Sequence, residues 1–399
     1  MDLTFPVVHR AQLRIGPIAK GTNSSCHPPA QTLTSLRMPE FLAPGVYIEE
    51  VSLASHPIEG VSTSTAGFVA VTGRGPLLGP LTSFTDFARV ATPNLGVNLP
   101  LAVRGFFENG GQRCFISQIV ASDPVESGLA ALDEQAVSVV CCPDDSTIQN
   151  SAAAMAAHCE KLKDRICILQ SVQPIVPVAT HQPPVHSSYA AYYHPWIKVA
   201  ALNGTSTVTI PPCGHLAGVY AQMDTNHGVW VTPANVLLAG VTALSQNLTD
   251  AESEALNSLG IDVIRSFPAQ GIRVWGGRTT SQDPDYKYIP VRRFMIFLEQ
   301  SIYRGTQWAV FEPNGPILWA AVCSSIQNFL TNLWKSSAFQ GSTQQEAFFC
   351  RCDRTTMTQN DIDNGRLVLI VGVAPLRPAE FVLIQITIQT QCSAIPPTH

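Results

Sequence analysis

The spacing of apolar side chains changes along the chain, and each change marks an element. Over residues 381–388, Val382, Ile384, Ile386 and Ile388 alternate with Leu383, Gln385, Thr387 and Gln389, the period of two that a strand imposes. Over residues 316–335 the period lengthens. There Leu318, Val322, Ile326, Phe329, Leu330 and Leu333 form one stripe behind a proline that fixes the first turn, which predicts a helix. Apolar runs predict strands at 68–72, 114–120, 137–141 and 166–169. An Ala-rich helix from the Asp144-Asp145-Ser146 cluster to about Lys163 joins the last two, and such a strand–helix–strand unit normally forms a parallel pair. Further strands are predicted at 196–201, 205–210, 261–266, 271–275 and 365–373, and helices at 84–90, 214–228 and 291–303. Thr249 with Glu252 caps another helix that ends at Gly260. Residues 173–188, rich in Pro and His, read as a loop. Residues 39–60 read as an extended arm: Pro44-Gly45 is a turn, Val46, Ile48 and Val51 are strand formers, and Glu49-Glu50 marks the solvent side. The fold class is mixed α/β.

A chain of 399 residues suggests two or three domains. Charged residues make up 13 %, against about 25 % in ordinary soluble domains, and 45 % are apolar. So few charges cover a free surface poorly, which predicts that neighbouring subunits cover part of it. The net charge is −5 with Lys and Arg scattered singly, so no basic stripe exists to neutralise phosphates and nucleic acid is not an expected partner. No apolar run reaches the roughly 18 residues of a membrane helix, and direct membrane insertion is not expected. Eleven cysteines, an odd number without framework spacing, predict reduced thiols in a cytoplasm-like compartment. Residues 1–37 carry Arg10, Arg14, Lys20 and Arg37 against Asp2 alone, and read as a disordered extension or as sequence upstream of a true start at Met38.

Candidate chemistry is sparse. Gly73-Arg74-Gly75-Pro76 lacks the Lys-Ser/Thr pair of a phosphate loop and reads as a turn. Neither Cys141-Cys142 nor Cys350 with Cys352 has zinc spacing. His181, His186 and His194 lie in or beside the Pro-rich loop, while His215 and His227 flank a helix; all read as solvated side chains. No G-x-S-x-G elbow occurs, and Asp283 with Asp285 and Asp361 with Asp363 read as turn residues. No catalytic, cofactor-binding or metal-binding residue is assigned. A hydrolase built on the strand–helix–strand unit and the His-rich loop is the alternative from another class.

From Met38 the chain reads MPEFLAPGVYIEEV, which resembles the opening of phage tail sheath proteins and of the sheaths of extracellular contractile injection systems. The resemblance continues at GVSTSTAGFVAVTGRGP from Gly60, PPCGHLAGVYAQMDTNHGVWVTPAN from Pro211, LGIDVIRSFPAQGIRVWGGRT from Leu259, RGTQWAVFEPN from Arg304, FFCRCDRTTMTQNDIDNGRL from Phe348 and GVAPLRPAEFVL from Gly372. It implies a structural, non-enzymatic subunit of a helical homopolymer, without cofactors, that surrounds an inner tube and contracts. Baseplate and terminator proteins are the implied further partners. The implied sites are cytoplasmic assembly followed by residence in a virion tail or released particle. The implied fold is a core domain built from the N- and C-terminal segments with an outer α/β domain inserted. On this chain that gives 1–37 as the extension, 38–60 as an exchange arm, 61–120 as the first part of the sheath domain, 121–260 as the outer domain and 261–399 as the C-terminal core.

Strand exchange between subunits is implied at Pro44, Gly45, Val46, Tyr47, Ile48, Glu49, Glu50 and Val51, and at Phe381, Val382, Leu383, Ile384, Gln385, Ile386, Thr387 and Ile388. An alternating apolar strand without a partner is an exposed edge that must be blunted or used. The resemblance also turns the 316–335 helix toward the tube, with contact expected at Ala321, Ser324, Gln327, Asn328, Thr331 and Lys335. Sheath relatives are rich in Arg and Glu there; this chain keeps only Lys335, which shifts the expected contact from ion pairs to polar hydrogen bonds. The low charge also fits a degenerate copy that does not assemble, a third reading.

Overall fold

The computed structural model describes residues 11–14, 56–73, 75–91, 96–120, 122–172 and 181–380. They divide into two compact units, one holding Thr63–Phe294 and the residues from Leu376, the other holding the residues before Thr63 together with Met295–Pro375.

The larger unit is organised on an eight-stranded sheet in the spatial order Leu78–Leu81, Arg113–Ile119, Thr65–Val71, Val139–Cys141, Ile166–Gln170, Ala190–His194, Ile261–Phe267, Gly271–Trp275. The six inner strands run parallel and the two outermost pair antiparallel. A parallel sheet needs cover on both faces, which is why these strands read as continuous apolar runs. Side-chain alternation divides the cover. Ala66, Phe68 and Ala70 join a core with Leu99, Val103, Phe106, Leu216 and Tyr220 from the helices Asn98–Glu108 and Cys213–His227. Gly67 and Val69 look the other way, against Val137 with Leu132 and against Gly128 respectively. A hairpin of Ile197–Ala200 and Thr207–Ile210, extended by Val241–Leu244, forms a separate three-stranded sheet.

The two helices on the first face touch backbone to backbone. A Cβ on Gly214 would lie 2.3 Å from the Ala102 carbonyl oxygen, and one on Gly218 would lie 2.4 Å from that of Phe106. Glycine is required at both positions because nothing else lets the helices approach this far.

Several elements follow the expectation closely. Phe84–Val90 and Pro316–Lys335 are helices, Gly271–Trp275 is a strand, and Asp250–Ser258 carries the Thr249–Glu252 capping box. The pair Val139–Cys141 and Ile166–Gln170 is parallel. Others differ. Asp145 opens only a short 3₁₀ turn, and the helix begins at Ser151. Asp361 is not a turn residue but the third residue of the helix Gln359–Asp363, where its carboxylate closes a capping box with Thr358. The strand expected from 365 starts at Val368. The expected boundaries at 120/121 and 260/261 both fall at strands of the eight-stranded sheet, which collects its members from Thr65 to Trp275.

The smaller unit contains the helix Pro316–Lys335, the part of Ile289–Gly305 from Met295 onward, and an antiparallel sheet in the order Ala11–Arg14, Val368–Val373, Phe348–Arg351. Val61 N–H donates to Ser301 Oγ at 3.0 Å, joining residues 240 apart in sequence.

Candidate assembly surfaces

Pro316 occupies the first turn of its helix, after Gly315 in an extended N-cap conformation. Leu318, Trp319, Val322, Ile326, Phe329 and Leu330 are buried, as the stripe requires, together with Ser325; Leu333 is half-buried. Trp319 is further fixed by its Nε1–H, which donates to Asn314 Oδ1 at 2.8 Å. Successive helical residues turn by about 100°, so the opposite face follows from the same spacing. Ser324, Gln327, Asn328 and Lys335 are exposed on it, and Ala321 at its margin and Thr331 among them are half-buried. Thr331 Oγ1 accepts a hydrogen bond from Gln344 Nε2 at 3.2 Å. The structure thus brings the six sequence-predicted residues onto one side of one helix, and that side carries a single formal charge.

A second surface is the sheet of the smaller unit. Val368–Val373 is its middle strand, pairing Phe348 with Val373 on one side and Ala11 with Val371 on the other. Composition predicted no element within residues 1–37, yet Ala11–Arg14 is a strand. A run of four residues is too short to show a period in the apolar pattern, and strand pairing needs backbone groups that any non-proline residue supplies. The exchange positions at 44–51 and 381–388 lie outside the described residues.

Two of the five histidines depart from expectation, while His186 and His227 are exposed as expected and His181 is half-buried. His194 ends an inner strand and His215 lies in the first turn of Cys213–His227; both side chains are buried rather than solvated. His194 Nδ1 and Ser171 Oγ are 2.7 Å apart, and the His215 ring fills the space a side chain at Gly105 would need. His181 Nε2 pairs with the Tyr192 hydroxyl at 2.8 Å and His186 Nδ1 with the Thr280 carbonyl at 3.2 Å. Burial pushes both the His194 and His215 imidazoles down to about 4. The folded protein therefore binds fewer protons than the unfolded chain between about pH 6.5 and 4, and the stability each contributes is lost as the pH falls through that window, about 2 kcal/mol each near pH 5. Asp145, whose carboxyl burial raises to about 7, works in the opposite direction and masks this in a whole-protein stability curve. The clean readout is the imidazole Cε1–H chemical shift: both resonances should stay flat down to about pH 5, and midpoints near 6.5 would show solvated rings.

Among the described residues no group of three His, Cys, Asp or Glu side chains could hold a metal ion, and no helix is long and apolar enough to cross a membrane. In the larger unit a buried Arg and a buried Asp bind one another. Arg293 donates from Nη1 and Nη2 to the two carboxylate oxygens of Asp224 at 2.7 and 2.6 Å, donates to the Thr63 carbonyl at 3.0 Å, and lies over the Tyr220 ring. No local spacing announces this pair, since the partners are 69 residues apart.

Two family models match adjoining stretches of the chain, the phage tail sheath protein central domain over residues 120–280 and the phage tail sheath C-terminal domain over 281–389. The chain belongs to the phage tail sheath family. Among solved structures, the helical sheath of the anti-feeding prophage in its contracted state is 35 % identical at a TM-score of 0.74, covering 86 % of this chain and 98 % of that one. The sheath complex of the PVC extracellular contractile injection system, also contracted, is 29 % identical at a TM-score of 0.73, covering 88 % and 98 %. A tail sheath protein of Vibrio phage KVP40 is 27 % identical over 177 residues, and a putative prophage major tail sheath protein of Pseudomonas aeruginosa is 27 % identical over 175. These matches take in 43 % and 42 % of this sheath-family chain and span only 26 % and 45 % of the curated relatives. The sheath relatives are structural proteins of contractile particles, not enzymes, and the hydrolase alternative finds no support among them.

Proposed function

We propose that this chain is the sheath subunit of a contractile particle, polymerising helically around an inner tube and shortening to drive that tube through a target envelope. The observation that carries the reading is the likeness to the contracted anti-feeding prophage sheath across nearly the whole of both chains. In this reading residues 44–51 and 381–388 are exchanged between subunits, residues 121–260 form the outer part of the particle, and the copies pair head to tail so that the polymer stays open. Inner tube, baseplate and terminator proteins are the partners, and the particle is a virion tail or a released injection device. A resemblance to an anti-feeding prophage baseplate, 33 % identical over 99 % of that chain, supports an assembly that includes a baseplate.

Ser324, Gln327, Asn328 and Lys335 face the tube, with Ala321 and Thr331 beside them. One charge among six positions gives little for salt to screen, so sheath formation around the tube should change little between low and high ionic strength. The test is co-expression with the inner tube protein, followed by negative-stain microscopy. Striated tubes are expected from the full chain, and monodisperse subunits from a chain lacking residues 381–388 that still melts cooperatively. A full-length protein that stays monomeric beside its tube would overturn the proposal and favour a degenerate copy.

A further inference from the structure

Two sulfurs far apart in sequence meet in the smaller unit. Cys323 lies on the helix Pro316–Lys335 and Cys350 on the strand Phe348–Arg351, with Sγ to Sγ 3.2 Å. Both are half-buried, within reach of a small reagent. The other described cysteines, Cys114, Cys141, Cys142, Cys159, Cys167, Cys213 and Cys352, are buried. Burial raises the thiols of Cys142, Cys159 and Cys213 well above their ordinary value and so keeps them from reacting. Cys323 shifts the other way: the Cys350 thiol and the Cys352 backbone N–H donate to its sulfur and favour the thiolate. The pair therefore has the parts of a thiol–disulfide couple, a nucleophilic sulfur and a second sulfur in contact with it.

We propose that Cys323 and Cys350 form a reversible disulfide that fastens the Pro316–Lys335 helix to the Phe348–Arg351 strand when the protein meets a low-molecular-weight disulfide. The Cys323 thiolate attacks one sulfur of oxidised glutathione and expels glutathione thiolate, which takes up a proton. The hydrogen bond to Cys323, more than burial, holds the Cys350 thiol above its ordinary value, and that bond to a thiolate is gone once Cys323 is in the mixed disulfide; Cys350 then gives up its proton to solvent, attacks Cys323 Sγ and expels the second glutathione thiolate. In balance the protein loses two hydrogens, one S–S bond forms between Cys323 and Cys350, and the oxidant's S–S bond is reduced to two thiols. A reducing cytoplasm keeps the pair open, and an oxidising medium closes it. The closed form ties down the helix that carries Ser324, Gln327 and Asn328, and it forms in the isolated subunit whether or not that subunit assembles.

The experiment uses the purified full-length chain, held in oxidised glutathione under native conditions, blocked with iodoacetamide and mapped by non-reducing peptide mass spectrometry. The expected result is a peptide joined through Cys323 and Cys350, with two fewer titratable thiols and a thermal transition several degrees higher that dithiothreitol reverses. The Cys350→Ser variant should instead hold a stable glutathione adduct on Cys323, and Cys323→Ser should remain unmodified at Cys350. Three outcomes overturn the proposal: a lasting adduct on Cys323 in the unsubstituted protein, a bond from Cys323 to Cys352, or both thiols remaining free.

Discussion

Replacing Gly218 by Val is expected to cost more than about 3 kcal/mol of stability, the upper range for overpacking a closed core. The reason lies in what the new Cβ would meet. At Gly218 it would fall 2.4 Å from the Phe106 carbonyl oxygen and 2.8 Å from Asn109 Cβ, and at Gly214 2.3 Å from the Ala102 carbonyl oxygen. A flexible side chain could swing aside; a helix carbonyl cannot. The helices Asn98–Glu108 and Cys213–His227 would have to separate, opening gaps around Phe106, Leu216 and Tyr220, all of them fully buried. Gly214→Ala should therefore cost nearly as much as a larger residue, since the first carbon already collides. Gly315→Ala, where a Cβ meets nothing within 4 Å, should stay within about 1 kcal/mol. Urea midpoints for the three variants decide it; Gly214→Ala unfolding with the unsubstituted protein would show that the helices have slack.

Asp224→Ala should destabilise the protein by about 3–5 kcal/mol, because it leaves the Arg293 guanidinium buried without its counter-ion. Both side chains are almost sealed, at 3 % and 4 % exposure, and their two parallel hydrogen bonds leave no route for water to substitute. The reverse change, Arg293→Met, should be milder and pH-dependent. Burial already pushes the Asp224 carboxyl above its ordinary value against the pull of Arg293, and without that pull it rises further. A carboxyl raised in the folded state favours folding at low pH and loses that contribution as the pH climbs through its folded value. Arg293→Met should then recover stability between pH 7 and 5, and Asp224→Ala should not. The double change to Met and Leu should regain much of the loss, since an apolar pair of similar volume has no desolvation to offset. Parallel pH behaviour of the two single variants would refute this account.

The sequence discloses elements that announce themselves locally. Pro316–Lys335 has a proline start, a stripe of period near 3.6 and a polar reverse, and its ends were readable to the residue. The Thr249–Glu252 box and the strand Gly271–Trp275 are similarly self-contained. Asn98–Glu108 is the opposite case: it has no capping side chain at its start and contains Pro100 and Gly105, residues that read locally as helix breakers. Ala190–His194 is buried throughout, and its tyrosines and histidine hide the apolar run that an inner parallel strand usually displays. His194 and His215 look solvent-bound by residue type and are enclosed by elements the local pattern does not connect. The polar face of Pro316–Lys335 could be placed from spacing alone. The pairs Arg293–Asp224 and Cys323–Cys350 could not, because each depends on two distant segments being packed together. The strand Ala11–Arg14 escapes for another reason, since four residues are too short a run to display a period.

The hydrogen bond from Arg293 to the Thr63 carbonyl joins points 230 residues apart. Within the larger unit it holds the place where the chain comes in beside the place where it leaves. For an unstructured loop of that length, drawing the ends together costs about 5 kcal/mol of chain entropy at 25 °C. Once the larger unit has closed, that cost is already met, and the distant segments that supply Val61 and Ser301 start their search as near neighbours. This connectivity predicts that the larger unit closes first and the smaller one second. Loss of Arg293 should consequently appear as slower late-phase refolding as well as in the equilibrium measurements above.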